Sequence, residues 1–309
     1  MFLQILEMVC PVILMFLLGF MCRRRQIFSF EGLKGIKALV GSVLLPVVLF
    51  NAFFTAEYSG KIALTFLVVY VSCGLGLLCG FLLRRFVKER GKFLPFLVTN
   101  FEGGMMGYAL YALLYPGQTH IFAMADIGQT LAAFTVFLTA LQAVGTGKTN
   151  GKALLKDAVR NPVLIAIVLG VILGALGVGQ AALHSAAGKL ISDTISFIAA
   201  PVSGLILIIV GYELSFKKTL LKPVMITVGL RLIVMAALLA LDSLVIFAVI
   251  PFDRQLFTAL MLAWSLPAPF IIPLYADLKE DGEYVSTCLS VMTVVTILTF
   301  IGVAAYSLA

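Results

Sequence analysis

Charge is what this chain has least of. Only 12% of its 309 residues are Asp, Glu, Lys or Arg, against 61% hydrophobic. A soluble domain of this size cannot hide that much apolar surface, because its surface-to-volume ratio does not allow it. The alternating apolar–polar pattern of barrel strands is also missing, which excludes a membrane β-barrel. No positive charge precedes the first apolar run, so the start reads as a first span and not as a cleaved signal. The five cysteines (Cys10, Cys22, Cys73, Cys79 and Cys288) show no C-x-x-C spacing, so neither a disulfide nor a metal site is expected. No G-x-S-x-G or H-E-x-x-H occurs, and hydrolase chemistry finds no support. "GTGKT" at Gly145–Thr149 is not a phosphate loop, because position 142 is Gln142 where a glycine is required.

What is present is a series of apolar runs, each about the twenty residues that span ~30 Å of hydrocarbon as a helix. Ten are read: Leu3–Cys22, Leu33–Phe54, Lys61–Leu83, Phe93–Tyr115, Ile121–Val144, Val159–Val178, Leu190–Leu214, Leu221–Ile250, Gln255–Ala276 and Tyr284–Leu308. The expected class is an all-α polytopic membrane protein with no separate soluble domain. Lys and Arg crowd the connections after the odd runs. Eighteen of the 22 fall there; Lys61, Lys189 and Arg254 fall on the other side, and Arg231 lies within the eighth run. That asymmetry predicts both termini outside. The net charge of +7 then belongs to a cytoplasmic rim facing anionic lipid, and nucleic acid is not an expected partner.

The chain repeats itself. "PVILMFLLG" (Pro11–Gly19) matches "PVLIAIVLG" (Pro162–Gly170), and "LLPVVL" around Pro46 matches "AAPVSG" around Pro201. Five runs per half is an odd number, so the halves enter the membrane from opposite sides. Inverted repeats of this kind are the architecture of many secondary transporters.

In such proteins substrate binds where discontinuous helices meet near the midplane. The fourth run of each half is the candidate. The first reads "NFEGGMMGY" across Asn100–Tyr108, with Glu102 beside Gly103, Gly104 and Gly107; the second reads "SLPAPFIIP", with Ser265, Pro267, Pro269 and Pro273. Proline removes a backbone donor and glycine weakens a helix, so both should unwind locally. Glu102 lies roughly 14 Å into its run, near the bilayer centre, where a carboxylate costs at least ~2.5 kcal/mol. It needs a partner, a proton or water. The glycines alone also fit close packing as G-x-x-x-G.

Asp126, Gln129 and Thr130 share one face of the fifth run, as a polar lining or as hydrogen-bond glue. Ser286, Ser290, Thr293 and Thr296 form a stripe on the tenth, either lining a site or bonding their own helix. Arg231 is expected to snorkel, to pair with Glu213 or to attract an anion, with the structural options ahead. Asp193 reads as the N-cap of the seventh run.

Four segments carry a resemblance: "RNPVLIAIVLG" (Arg160–Gly170), "APVSGLILIIVGYEL" (Ala200–Leu214), "LPAPFIIPLYA" (Leu266–Ala276) and "STCLSVMT" (Ser286–Thr293). In their order and spacing the chain resembles the auxin efflux carrier family of secondary transporters, including its bacterial malate or malonate permease-like branch. The resemblance implies a five-plus-five inverted repeat with crossing fourth and ninth helices. It further implies scaffold segments 1–58 and 151–215, which also form a homodimer interface, and moving core segments 59–150 and 216–309. The motion would be of the elevator type in a plasma (bacterial inner) membrane. Members often read Asn-x-Gly-x-x-Gly-x-Pro at the first break. Here Glu102 takes the asparagine place and Ala109 the proline place, and Asn100 is the candidate substitute.

The expected function is secondary transport of small organic anions, carboxylates or dicarboxylates, without a cofactor. Asn100, Glu102, Gly103, Gly104, Asp126, Gln129, Ser265, Pro267 and Pro269 are the candidate site. An ionised Glu102 would repel a bound carboxylate, so a proton, or a sodium ion near Glu102, is the expected coupling ion. An organic cation carrier with Glu102 as counter-ion is the alternative. Rivals from other classes are a sensor without transport and an intramembrane enzyme using Glu102 and Asp126.

Overall fold

The computed structural model describes residues 2–55, 60–146, 160, 162–276 and 278–308. Among them every regular element is a helix. The main helices are α1 (Leu3–Arg24), α2 (Phe30–Phe54), α3 (Gly60–Phe86), α4 (Leu94–Leu97), α5 (Tyr108–Leu114), α6 (Thr119–Val144), α7 (Pro162–Ala175), α8 (Val178–Leu183), α9 (Gly188–Glu213), α10 (Lys218–Val249), α11 (Arg254–Ser265), α12 (Ile272–Tyr275) and α13 (Gly282–Leu308). Seven of these, α1, α2, α3, α6, α9, α10 and α13, are long and apolar enough to cross a membrane.

Two of the other three expected runs fall short of that length for a physical reason. The fourth and ninth are interrupted, as α4 with α5 and α11 with α12. The sixth has 14 described residues in α7; Val159 and Asn161 of that run, with Lys148, Lys152 and Lys156, lie outside the described residues, as does most of the "GTGKT" segment.

The two halves interlock. α1 lies along the second part of α9, and α7 along the second part of α2. The glycines that end the repeated motif make both contacts possible. A Cβ on Gly19 would come within 2.1 Å of the Ile208 carbonyl oxygen, and one on Gly170 within 2.8 Å of that of Phe50. Each half thus lends its first helix to the second helix of the other. The paired prolines also act alike. A π turn at Val40–Leu44 precedes Pro46 inside α2, and α9 is interrupted at Ala200–Pro201.

α3, α6, α10, α11 and α13 pack against one another. Leu17, Leu82, Ile172, Phe197 and Ile233 are exposed, the surface expected where lipid is the solvent. At the basic ends of the helices, Lys37 meets Glu213 at 2.6 Å, Lys217 pairs with Glu283, and Arg23 donates to the carbonyl of Leu214. At the opposite ends, Asp253 caps α11 by accepting from Gln255 and Leu256, with Lys61 3.8 Å away.

One expected cap is corrected. α9 begins at Gly188 after Ala187, so Asp193 is an exposed residue inside the helix and not its N-cap. The chain already turns at Ser185, whose carbonyl accepts the Gly188 N–H at 2.9 Å.

A candidate substrate site at two helix breaks

The first break falls on residues 98–102, just before the glycines. Asn100 takes a left-handed conformation there, φ 50°, which asparagine tolerates better than most residues. The chain then rewinds as a π turn over Gly103–Gly107 into α5. Thr99 and Asn100 are fully or almost fully buried, so their polar groups need partners. The Thr99 hydroxyl donates to the Cys73 carbonyl at 2.9 Å. The Asn100 amide reaches Gln129 Oε1 at 3.4 Å, and Gln129 Nε2 donates to the Phe101 carbonyl at 2.7 Å.

The second break covers residues 266–271, around Pro267 and Pro269. The two breaks touch. The Glu102 N–H donates to the Pro267 carbonyl at 3.0 Å, and the Phe270 N–H donates to Glu102 Oε2 at 2.6 Å. Glu102 therefore joins the two breaks through its backbone and its carboxylate at once. It is 8% exposed. Pro269 contributes a carbonyl that accepts from Ile272 at 3.2 Å and starts α12. Ser265 contributes its carbonyl, which accepts from Thr296 at 2.7 Å, while its hydroxyl turns back to Leu262.

Arg231 holds both breaks from the other side. Nη1 donates to the carbonyls of Leu97 at 2.9 Å and Thr99 at 3.3 Å; Nη2 donates to those of Asn100 and Leu266, each at 2.8 Å. An unwound helix leaves carbonyls without partners, and in a bilayer they must be satisfied internally. A guanidinium fork suits that task, since it offers several donors in one plane. Arg231 is buried, so it does not snorkel, and it does not pair with Glu213, which meets Lys37 instead; it caps the breaks.

The polar face of α6 abuts the first break. Gln129 is hydrogen-bond glue, as described. Asp126 is 1% exposed, and a Cβ on Gly103 would come within 1.9 Å of its Oδ1. Thr130 reaches Oδ2 at 3.5 Å, whereas Oδ1 has no hydrogen-bond partner among the described residues. The buried Tyr108 hydroxyl interacts with Asp126 but is not in hydrogen-bond geometry. Gly107 packs on Phe122, as G-x-x-x-G packing requires, and a Cβ on Gly104 would meet Leu45 Cδ2 at 3.6 Å and Glu102 Oε1 at 3.9 Å. Among the described residues, no cluster of three or more His, Cys, Asp and Glu side chains is placed to hold a metal ion.

The sequence reading misses one carboxylate. Asp242 on α10 is fully buried and accepts from the Ser72 hydroxyl on α3 and from Trp264 Nε1 on α11, the latter at 2.9 Å. Trp264 stands edge-on to Phe101, ring centres 5.4 Å apart. The signal is in the sequence, as an acidic residue inside an apolar run.

A cavity of ≈ 1030 Å³ leads toward the breaks. Arg23, Lys34, Lys37 and Glu213 line it at the basic helix ends, and Phe270 of the second break and Pro273 of α12 line it too. One wall is the hydroxyl stripe of α13: Ser286, Ser290 and Thr293. Ser290 and Thr293 also bond carbonyls of their own helix at 2.9 Å, as the structural reading of that stripe has it. Thr296 is buried and tied to Ser265.

A family model described as membrane transport protein matches residues 4–145 and 147–306. A protein from Methanothermobacter thermautotrophicus, named only as an uncharacterized transporter, is 25% identical over 303 residues that cover 95% of each chain.

Proposed function

The chain belongs to the membrane transport protein family, the auxin efflux carrier family its motifs resemble, and from that premise we propose that this multi-pass protein is a secondary active transporter of small organic anions. Carboxylates or dicarboxylates are the substrate class. They bind where the two breaks cross, beside Glu102, Asn100 and the exposed edge of Phe270.

The cavity is the observation that carries this reading. It runs from the basic ends of α1, α2 and α9 to the second break, and among the described residues its lining carries Arg23, Lys34 and Lys37 against one carboxylate, Glu213. A low-dielectric cleft with one dominant sign concentrates ions of the other sign. We take the basic side as cytoplasmic, so the conformation described is open to the inside.

The mechanism proposed is alternating access of the elevator type. α1, α2, α7 and α9 serve as scaffold and as the interface of a homodimer. The breaks travel with α3, α6, α10, α11 and α13, held together by Arg231 and by Glu102. Glu102 is the coupling residue. When a carboxylate binds near it, a proton or a sodium ion must neutralise it, because two anions at close range in low dielectric repel strongly.

A second reading has its own observation. Among the described residues the buried charged ones are Glu102, Asp126 and Asp242 against Arg231, an excess of negative charge that would favour an organic cation with Glu102 as counter-ion. Thermal stability of the purified protein separates the two, since ligands that bind the native state raise its midpoint. Small carboxylates and small amines are compared at two pH values, with and without sodium, for wild type and Glu102→Gln. Stabilisation by a carboxylate that depends on low pH or on sodium, and loses that dependence in Glu102→Gln, supports the proposal. Stabilisation by amines alone, abolished by the same substitution, supports the cation reading.

A further inference from the structure

We infer that Asp242 is a second proton-binding site, separate from Glu102, whose state of protonation is transmitted to the second helix break through Trp264. Three observations carry it. Asp242 lies within the long apolar helix α10 with no exposed surface. Its two oxygens are bound by two neutral donors, the Ser72 hydroxyl and the Trp264 indole N–H. And Arg231, the one buried guanidinium among the described residues, spends its donors on four carbonyls at the breaks.

A fully buried carboxylate in an apolar helix is costly as an anion, and acids within membrane-spanning helices are functional candidates by default. With neutral donors only, the cheapest way to neutralise it is a proton: the carboxylate takes one from water and returns it. The change is local but well placed. An ionised Asp242 accepts strongly from Trp264 Nε1, because charge-assisted hydrogen bonds are about twice as strong as neutral ones. A protonated Asp242 holds it more weakly. Trp264 immediately precedes Ser265 and the second break, and its ring contacts Phe101, the neighbour of Glu102. Uptake or loss of the proton therefore alters the last turn of α11 and the packing behind Glu102.

The surrounding ionisable groups are few. Cys73 of α3 adjoins Ser72 and interacts with Asp242; Asp126 of α6 and Arg231 of α10 act on Cys73 from farther away. α13, also packed on α10 and α11, brings Tyr284 and Cys288, with Tyr284 bonded to Thr227 of α10. Asp253, Arg254 and Tyr306 sit together at the start of α11.

The chain has one tryptophan, so its fluorescence reads this hydrogen bond directly. Purified full-length protein is titrated from acid to mildly alkaline pH, with no substrate present. We expect the Trp264 emission to change in one step. The step is lost in Asp242→Asn, which keeps an oxygen to accept from Trp264, and persists in Glu102→Gln. Ser72→Ala, which removes one donor, displaces its midpoint and serves as the check should Asp242→Asn fold poorly. Emission independent of pH in wild type overturns the inference. So does a step that survives in Asp242→Asn, or one that Ser72→Ala leaves in place. The coupling consequence rests on the transport reading, but the titration does not; each can fail without the other.

Discussion

Two adjacent glycines at the first break have opposite surroundings. At Gly103 an added methyl meets Asp126 Oδ1 at 1.9 Å, while at Gly104 the nearest atom is a leucine methyl at 3.6 Å. Gly103→Ala must displace Asp126 and should cost about 1–3 kcal/mol, the range for overpacking a tight site. Gly104→Ala should be neutral or stabilising by up to about 1 kcal/mol, since alanine has less backbone freedom to lose. Thermal unfolding of the two variants checks this; equal effects would contradict the packing described. The sequence marks both glycines as breakers and cannot distinguish them, because the difference lies in what α6 brings across. Asp242 is a different kind of miss. Its residue type and depth are visible in the sequence, but its partners on α3 and α11 are far away along the chain.

At the scale of elements, the chain places the breaks in the right runs and misjudges how they are held. Prolines mark the second break well, because a missing N–H cannot be replaced within a helix. In the first, the unwound residues precede the glycines, and the left-handed Asn100 does the turning. Arg231 is legible as an intramembrane cation but not as a clamp, since its four acceptors are backbone carbonyls with no side-chain signature. Arg231→Lys keeps the charge and loses the fork. One ammonium has three donors on a flexible stem and cannot match a planar guanidinium on four carbonyls. Each buried carbonyl left without a partner costs about 1–3 kcal/mol. The expected result is a clear loss of thermal stability in Arg231→Lys, and a larger one in Arg231→Met. Wild-type stability in Arg231→Met would refute the clamp.

At the scale of the whole molecule, the repeat is the feature the sequence carries best. The ninth-place glycines of the two motifs perform the same task, each letting its helix lie on the opposite half. The cavity is less legible: its walls come from both halves and from the gap between packing groups, which no local pattern records. Its hydroxyl wall gives a direct prediction. With Cys10, Cys22 and Cys79 replaced by serine, a cysteine at Ser290 should react with a membrane-impermeant thiol reagent applied from the basic side, while the buried native Cys73 and Cys288 should not. Labelling from the opposite side alone would mean that the cavity opens the other way.

In the proposed mechanism organic anions cross the membrane at the breaks with Glu102 as the coupling group. The most direct measurement is uptake of radiolabelled small mono- and dicarboxylates into proteoliposomes, under an imposed proton or sodium gradient, for wild type and Glu102→Gln. Gradient-driven accumulation of a carboxylate in wild type is predicted, with Glu102→Gln retaining exchange at most and losing accumulation. Accumulation that is unchanged in Glu102→Gln, or uptake confined to organic cations, would contradict the account.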